Sequence, residues 1–421
     1  MNKITIKRIT ADNSKIQVEF LPEGDILKYF CAPYIFETEY SLNISGVPKS
    51  IAIIPFLCNV LPIIWLTDAR IEIDEIDKSF YESIPNFKKG YINMYPMLDF
   101  KGEILCKRII DYAYTSQSKE SAVAAFFSGG VDAFATLIAH ANENPTLITL
   151  WGSDISLDDL NGWGIVKNHT LETASTFNID SVFVKTNFRY FINEYELSKL
   201  VLDSKDNYWH GLQHGIGLIG HGAPIAWVKK IATLYIASSY TIKSKGKITC
   251  ASDPTIDNYV KFLNCHTVHD QYEFERQEKV DHICSYSNEN NLKLKLRVCW
   301  ITSGGHNCCK CEKCIRTMFE IFTTGNDPKN YGFNYSASDL KNAHYIVLDS
   351  YNPSMAPMWE EIKTRVNLIP PSTVPKEILW VKNLDFIKER GKLNFHIRQK
   401  IKFISNLFFR IKKRIKRIVK N

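Results

Sequence analysis

Residues 122–141, AVAAFFSGGVDAFATLIAHA, constrain the fold more than any other stretch of the chain. Residues 122–127 form an unbroken apolar run, the pattern of a strand buried on both faces of a parallel sheet. Ser128-Gly129-Gly130 predicts a tight turn, and from Val131 the residues Val131, Phe134, Ala135, Leu137 and Ile138 recur at helical spacing. A strand, a glycine turn and a helix start in this order make an anion site. The glycines let a guest approach the backbone, and the first N–H groups of a helix lack intrahelical partners. No lysine follows the glycines in the Walker A position, so the stretch is not that kind of phosphate loop. The competing reading is a Gly-Gly turn in an ordinary α/β domain.

At 421 residues the chain has length for two or three domains and a large core. Its apolar content of 45% and aromatic content of 12% are those of a folded protein. MNKITIKRIT opens on strand-like alternation, not an apolar leader, and the apolar run at 51–66 is interrupted by Pro55, Asn59 and Pro62. No run approaches the ~18 residues needed to cross a bilayer, so a cytoplasmic location is expected. In that compartment eleven cysteines imply reduced thiols or metal ligands. The formal charge of +7 is unevenly spread. Residues 391–421 carry eleven Lys or Arg and no acid, which leaves 7 − 11 = −4 for the rest. A broad nucleic-acid surface on the body is therefore not expected from charge.

Residues 1–115 read as a β-rich module, with strands in ITIKRI, KIQVEFL, TEYSLNI and ARIEIDEI. Its cysteines, Cys31, Cys58 and Cys106, read as small packed residues. A central domain follows over 116–326 with a strand-then-helix rhythm. Further strands are expected at Thr146–Trp151, Ser181–Lys185 and Ile231–Ala237, helix at His169–Phe177, and a helical or partly helical stretch from Tyr208 to Lys230. Such alternation implies a parallel sheet with helices on both faces, an α/β fold with ligands beyond the C-terminal strand ends. Ser128, Trp151 and Thr186 fall there. The segment His210–Pro224 holds Gly211, Gly215, Gly217, Gly220 and Gly222, read equally as close approach to a nucleotide or as tight packing. His210 and His214, four apart, suggest a metal pair but have no evident third ligand, so a packing or surface role is the plainer reading. His269, Asp270, Arg276 and Lys279 read first as a solvated, charged helix start, and second as substrate or phosphate contacts. From 327 to 385 the prolines Pro328, Pro353, Pro357, Pro370, Pro371 and Pro375 predict irregular chain wrapping the central domain.

The segment RVCWITSGGHNCCKCEKCIRT holds Cys299, Cys308, Cys311 and Cys314 at C-x8-C-x2-C-x2-C spacing. Two C-x2-C steps turn three thiolates over one knuckle and the longer loop returns a fourth, a set that satisfies tetrahedral Zn²⁺ and leaves no open position. His306 is the alternative ligand if Cys308 is displaced, and Cys309 is the odd thiol. Redox or sulfur-carrying chemistry is the rival reading and needs an exposed, acidic thiol.

SGGVD resembles the SGGxD[ST] pyrophosphate loop of the PP-loop ATP pyrophosphatases. Together with the late four-cysteine spacing it resembles the 7-cyano-7-deazaguanine synthase family over about residues 122–325. That resemblance implies an adenine-nucleotide α-hydrolase sheet, with Ser128, Gly129, Gly130, Val131, Asp132 and Ala133 around the phosphates. Ser128 and Asp132 would take part in catalysis, with Asp132 placing Mg²⁺ or fixing the loop. Cys299, Cys308, Cys311 and Cys314 would hold zinc. His169 and Glu172, in NHTLETA, resemble the family's His-x-x-Glu. The implied reaction is that of an ATP-dependent C–N ligase: ATP is split to AMP and PPi, and an adenylated carboxyl or amide substrate is attacked by a nitrogen nucleophile. The chain departs from the family at Ala133, where the loop's last hydroxyl would stand, and in GHGAP, which lacks the family's Pro-Gly-Arg-Asn. Thr136, one turn further on, is the nearest replacement hydroxyl. The N-terminal module and the tail have no counterpart in the short biosynthetic members. Two alternatives remain open: a PP-loop sulfurtransferase acting on RNA, with Cys309 as its thiol, and a nucleotide- or partner-binding module without catalysis.

In the tail, within 386–421, Ile397, Ile401, Ile404, Phe408, Ile411, Ile415 and Ile418 recur at spacings of four and three. They draw an apolar stripe opposite a basic face, the pattern of an amphipathic helix. Basic attraction to anionic lipid is worth ~1 kcal/mol per Lys or Arg, which favours peripheral contact with the inner membrane surface. RNA binding and docking of the stripe on the body are the competitors.

Overall fold

The computed structural model describes residues 2–112, 122–301 and 305–391. The expected tail helix lies outside the described residues from 392 onward. The chain divides into two compact units, Met1–His306 and the residues from Asn307.

The first unit is built on one eleven-stranded sheet. Its strands are β1 (Lys3–Asp12), β2 (Lys15–Glu23), β3 (Ile35–Tyr40), β4 (Arg70–Asp77), β5 (Glu103–Ile110), β6 (Ala122–Phe126), β7 (Thr146–Trp151), β8 (Ser181–Thr186), β9 (Ile231–Ala237), β10 (Lys261–Phe262) and β11 (Cys265–Asp270). They lie in the order β10-β11-β9-β6-β7-β8-β3-β2-β1-β4-β5. β11, β9, β6, β7 and β8 run parallel, as the strand-helix rhythm predicts. Alternate residues of β6 reach separate cores. Ala124 and Phe126 join the main cluster, while Val123 and Ala125 pack with Tyr235 and Val268. The apolar run is therefore unbroken because both faces of the strand are covered.

Residues 1–115 do not form a module apart from the central strands. β3 pairs antiparallel with β8, setting Thr38 opposite Thr186 and Tyr40 opposite Val184, so the N-terminal strands prolong the same sheet. The region is also less purely β than its alternation suggests, since Ile54–Leu66 and Lys78–Met94 are helices. The first of these was masked by its prolines. Pro55 sits in the opening turn, where a missing N–H costs nothing, and Pro62 is carried inside a helix whose residues from Ile54 to Trp65 are buried. Buried Asn59 steadies it, donating to Pro55 O at 2.8 Å and accepting from Gln213 Nε2 at 2.7 Å. The glycines of 211–222 answer to packing: a Cβ on Gly220 would lie 2.7 Å from Cys58 Cβ.

The second unit is helical where the prolines suggested irregular chain. Glu312–Phe322, Ala337–Asp349 and Ala356–Leu368 are α-helices, and 3-10 turns occupy Pro328–Tyr331, Pro353–Met355, Pro371–Thr373 and Lys376–Asn383. Pro328, Pro353, Pro357 and Pro371 stand in first turns, where proline's fixed φ favours helix. The compact unit begins at Asn307, twenty residues before the boundary expected at 327. Its core joins Ile315, Phe319, Trp359 and Ile362, and buried Glu312 accepts from Arg316 Nε at 2.8 Å and Trp359 Nε1 at 2.9 Å. Among the described residues no helix is long and apolar enough to cross a membrane.

His221 ties the sheet to the glycine segment. Its rings nitrogens meet Gly217 O at 2.8 Å through Nδ1 and Thr186 Oγ1 at 2.9 Å through Nε2. Complete burial brings its pKa down from 6.5 to about 4, so the native imidazole is neutral. The unfolded state then binds a proton that the native state refuses, and stability falls as pH drops from about 6.5 to about 4. The size of this effect is on the order of 3 kcal/mol. Urea unfolding at a series of pH values should show the stability gap between the wild type and His221→Gln shrinking toward pH 4.5. A gap independent of pH would contradict a neutral His221.

Candidate functional site

The sheet's topology has one switch point of the kind at which open α/β sheets take ligands. From β6 the chain moves to β7 and β8 on one side, while β9 and β11 lie on the other. The winding direction changes at β6, and crevices in open α/β sheets form beyond the strand ends at such a switch. Ser128-Gly129-Gly130 leaves β6 at this point and leads into the helix Val131–Ala139.

Local geometry is fixed by glycine and by two neighbours. Gly129 has φ +78°, and a Cβ there would stand 2.6 Å from His169 Cε1. Gly130 is the helix N-cap with φ −78° and ψ 174°, extended backbone open to any residue, and a Cβ there would meet nothing nearer than Ser128 Oγ at 3.5 Å. Arg297, 9% exposed, clamps the turn from outside: its N–H donates to Gly129 O at 2.7 Å and its Nε–H to Ser128 O at 3.0 Å. Burial draws the Arg297 guanidinium below its ordinary pKa. His169 stacks on Phe127 at 6.2 Å, and its Nε2–H donates to Lys295 O at 2.5 Å. Burial lowers the His169 pKa, although the bond to Lys295 O opposes the shift. Glu172 pairs with Lys295 at 2.9 Å on the surface. His169 and Glu172 thus hold segment 295–297 against the loop.

Asp132 lies in the first helical turn, 3.3 Å from Arg276 Nη1 and 3.3 Å from Lys279 Nζ. Lys279 is 1% exposed and also donates to Ser238 O at 2.6 Å, at the end of β9. These two cations are therefore not a solvated helix start. The helix Arg276–Glu289 begins at a capping box of Glu275 and Glu278, and Arg276 and Lys279, three apart, occupy its buried face toward the loop. Asp132 holds both cations beside the loop. His269 and Asp270 belong to other networks, His269 Nδ1 with Asp257 at 2.8 Å and Asp270 with His140 Nε2 at 3.1 Å. Val131, Ala133 and Thr136 are buried, so they offer a guest no side chain, only backbone at the first two.

The sulfurs of Cys299, Cys308, Cys311 and Cys314 lie within 4.8 Å of one another, a buried cluster that could bind a metal such as zinc. Cys311 caps the helix Glu312–Phe322, accepting from the Cys314 N–H at 3.4 Å, and Lys310 N–H donates to Cys308 Sγ at 3.4 Å. Amide donors to sulfur favour thiolates. Among the described residues this is the one group of three or more such ligands within reach of an ion. Cys308 occupies its expected place, and His306 is exposed and outside the group. Cys309 is 2% exposed with its Sγ toward Asn307 O.

Two features were not read from the sequence as part of a site. Arg297 sits in an extended segment with no motif. Cys250 approaches His214 Nδ1 at 3.5 Å, and only tertiary contact brings it there. Gly129→Ala should lower the melting temperature, since φ > 0 costs about 1 kcal/mol and His169 must also yield. Gly130→Ala should leave it nearly unchanged, and equal losses in the two melts would contradict this geometry. Metal analysis should find zinc at one equivalent per chain. Cys311→Ser should lose zinc and stability together, while Cys309→Ser keeps its zinc; iron with a visible chromophore would contradict the assignment. In comparisons with protein-family models and with curated proteins, nothing matches the chain.

Proposed function

We propose that the chain is an ATP-dependent C–N ligase of PP-loop type that splits ATP to AMP and PPi and adenylates a carboxyl or amide substrate for attack by a nitrogen nucleophile. The observation that carries this reading is the Ser128–Asp132 turn at the switch point of the sheet, with Lys279 and Arg276 buried beside it. N–H groups at the start of the helix Val131–Ala139 and the Ser128 hydroxyl would receive the β- and γ-phosphates. Arg276, Lys279 and Asp132 sum to one positive charge, which suits a developing pyrophosphate. Asp132 orients the two cations. Mg²⁺ would arrive with the nucleotide and supply further charge neutralisation. Four thiolates suit Zn²⁺, which would brace the cysteine knuckle and take no part in the reaction.

The acceptor differs from that of the deazaguanine synthases in this reading. Gly220, His221, Gly222, Ala223 and Pro224 are all buried, so GHGAP is a packing segment and presents no side chain to a substrate. Holding adenylate and nucleophile in one cleft would supply much of the rate.

Calorimetric titration with ATP should give saturable binding that Gly130→Val abolishes while its melting temperature holds. Chromatography of turnover products should find AMP and PPi. ADP and orthophosphate in their place would overturn the reading.

A further inference from the structure

Cys250 lies in the loop 238–253, which leaves the C-terminal end of β9 on the same sheet edge as the Ser128–Asp132 turn. The loop is laid against an unusual piece of backbone. Trp209–Gln213 is a single π-helical turn, and the His210 carbonyl accepts from the Ala251 N–H at 2.8 Å. Gly215 follows at φ +82°, where a Cβ would fall 2.8 Å from Ser252 Cα. Wide π turns of this kind recur at functional sites because they re-aim side chains. Here the turn brings two histidines to one thiol.

Cys250 Sγ is 3.5 Å from His214 Nδ1. His210 completes the group: its Nδ1 is 2.9 Å from Asp206 Oδ1 and its Nε2 is 3.1 Å from the Tyr240 hydroxyl. Asp206 is itself pinned, accepting from Tyr95 Oη at 3.2 Å, Thr249 Oγ1 at 3.1 Å and the Asn207 N–H at 2.8 Å. A thiol and an imidazole, Cys250 and His214, are thus paired as in thiol enzymes, and Asp206 orients the second imidazole, His210, beside them. Burial alone would push the Cys250 thiol up, but hydrogen bonds from His210 and then His214 outweigh it and bring it to about 6. The Asp206 hydrogen bond raises His210 to about 11, and the bond to Cys250 raises His214 despite its burial. His210, His214 and Tyr95 face the thiol; Asp206 and Tyr240 face His210, and Asp257 and Asp154 face His214. Cys250 is 4% exposed and the His210 side chain beside it 31% exposed.

The cluster is tied to the nucleotide turn. Lys279 holds Asp132 with one hydrogen bond and Ser238 O with another, and the Ser238 hydroxyl binds Tyr240 O. Tyr240 in turn meets His210.

We propose that Cys250 is a nucleophile that carries the substrate's acyl group as a thioester between adenylation and attack by nitrogen. The step rests on the adenylation reading above. The Cys250 thiolate attacks the acyl carbon of the adenylate. A C–S bond forms, the acyl C–O bond to AMP breaks, and AMP leaves with the electron pair. An amine then attacks the thioester, forming C–N and breaking C–S. The thiolate is restored with its pair beside His210 and His214, and the nitrogen gives its proton to water. No electrons are transferred to or from an outside partner.

The test uses p-nitrophenyl acetate as an activated acyl donor with the full chain at pH 6.5. The proposal expects a burst of one p-nitrophenolate per chain, and an acetyl group on the Cys250 peptide that neutral hydroxylamine removes. Cys250→Ser should abolish the burst, and Asp206→Asn should slow it at least tenfold at pH 6.5, with much of the rate regained at pH 9. Iodoacetamide on the wild type should alkylate Cys250 with a midpoint near pH 6, which keeps the proposal testable if a variant fails to fold. A midpoint above pH 8, a burst that survives Cys250→Ser, or acetyl groups confined to exposed lysines would overturn it. This donor needs no ATP. Production of ADP would therefore sink the adenylation reading and leave the burst intact, whereas AMP production without a burst would sink the thioester alone.

Discussion

The left-handed turn at Gly129 is the constraint on which the arrangement around β6 depends. A residue with a Cβ could not hold φ +78° at ease, and His169 leaves no room for one. Because the turn is tight, the helix Val131–Ala139 starts directly above the end of β6, and its first amides face the crevice at the switch point. Arg297 consumes the turn's carbonyls, Ser128 O and Gly129 O, through its own backbone and guanidinium. With these two carbonyls occupied, the turn offers the Ser128 hydroxyl, which also accepts from the Gly130 N–H at 3.4 Å, and the first amides of the helix, a set that would favour an anion.

Buried charge would strengthen the proposed preference for an anion. Arg276 and Lys279 share the carboxylate of Asp132 while almost wholly removed from water. Placing a lysine at 1% exposure is costly unless its neighbours compensate, and a partner carboxylate with a backbone carbonyl supplies that here. In such surroundings an arriving phosphate would interact far more strongly than on the surface. The same Lys279 reaches Ser238, so the end of β9 and its loop are positioned by the charges that line the turn. Around Cys250 a pinned carboxylate plays the same part for His210.

The strands from β6 to β9 were legible because each buried strand is a short apolar run bounded by turn residues. So was the four-cysteine group, since C-x2-C spacing is local. What escaped the sequence depended on distant chain. Arg276 and Lys279 look like a solvated face until the helix is placed on Asp132, because charge alone does not say which side is buried. Pro55 and Pro62 hid a helix whose apolar neighbours outweigh the lost backbone bond. The β-rich reading of 1–115 found four strands but not their pairing with β8, for which alternation carries no signal. Cys250 sits thirty-six residues from His214, and its partners became visible only through the π turn.

The central claim is that the Ser128–Asp132 turn receives the phosphates of a nucleotide. Amide hydrogen exchange read by mass spectrometry, with and without saturating pyrophosphate, tests it most directly. The account predicts slowed exchange concentrated in peptides spanning 127–134, with a smaller effect over 276–280 and none in 337–368. Unchanged exchange across 127–134, with protection elsewhere on the chain, would contradict it.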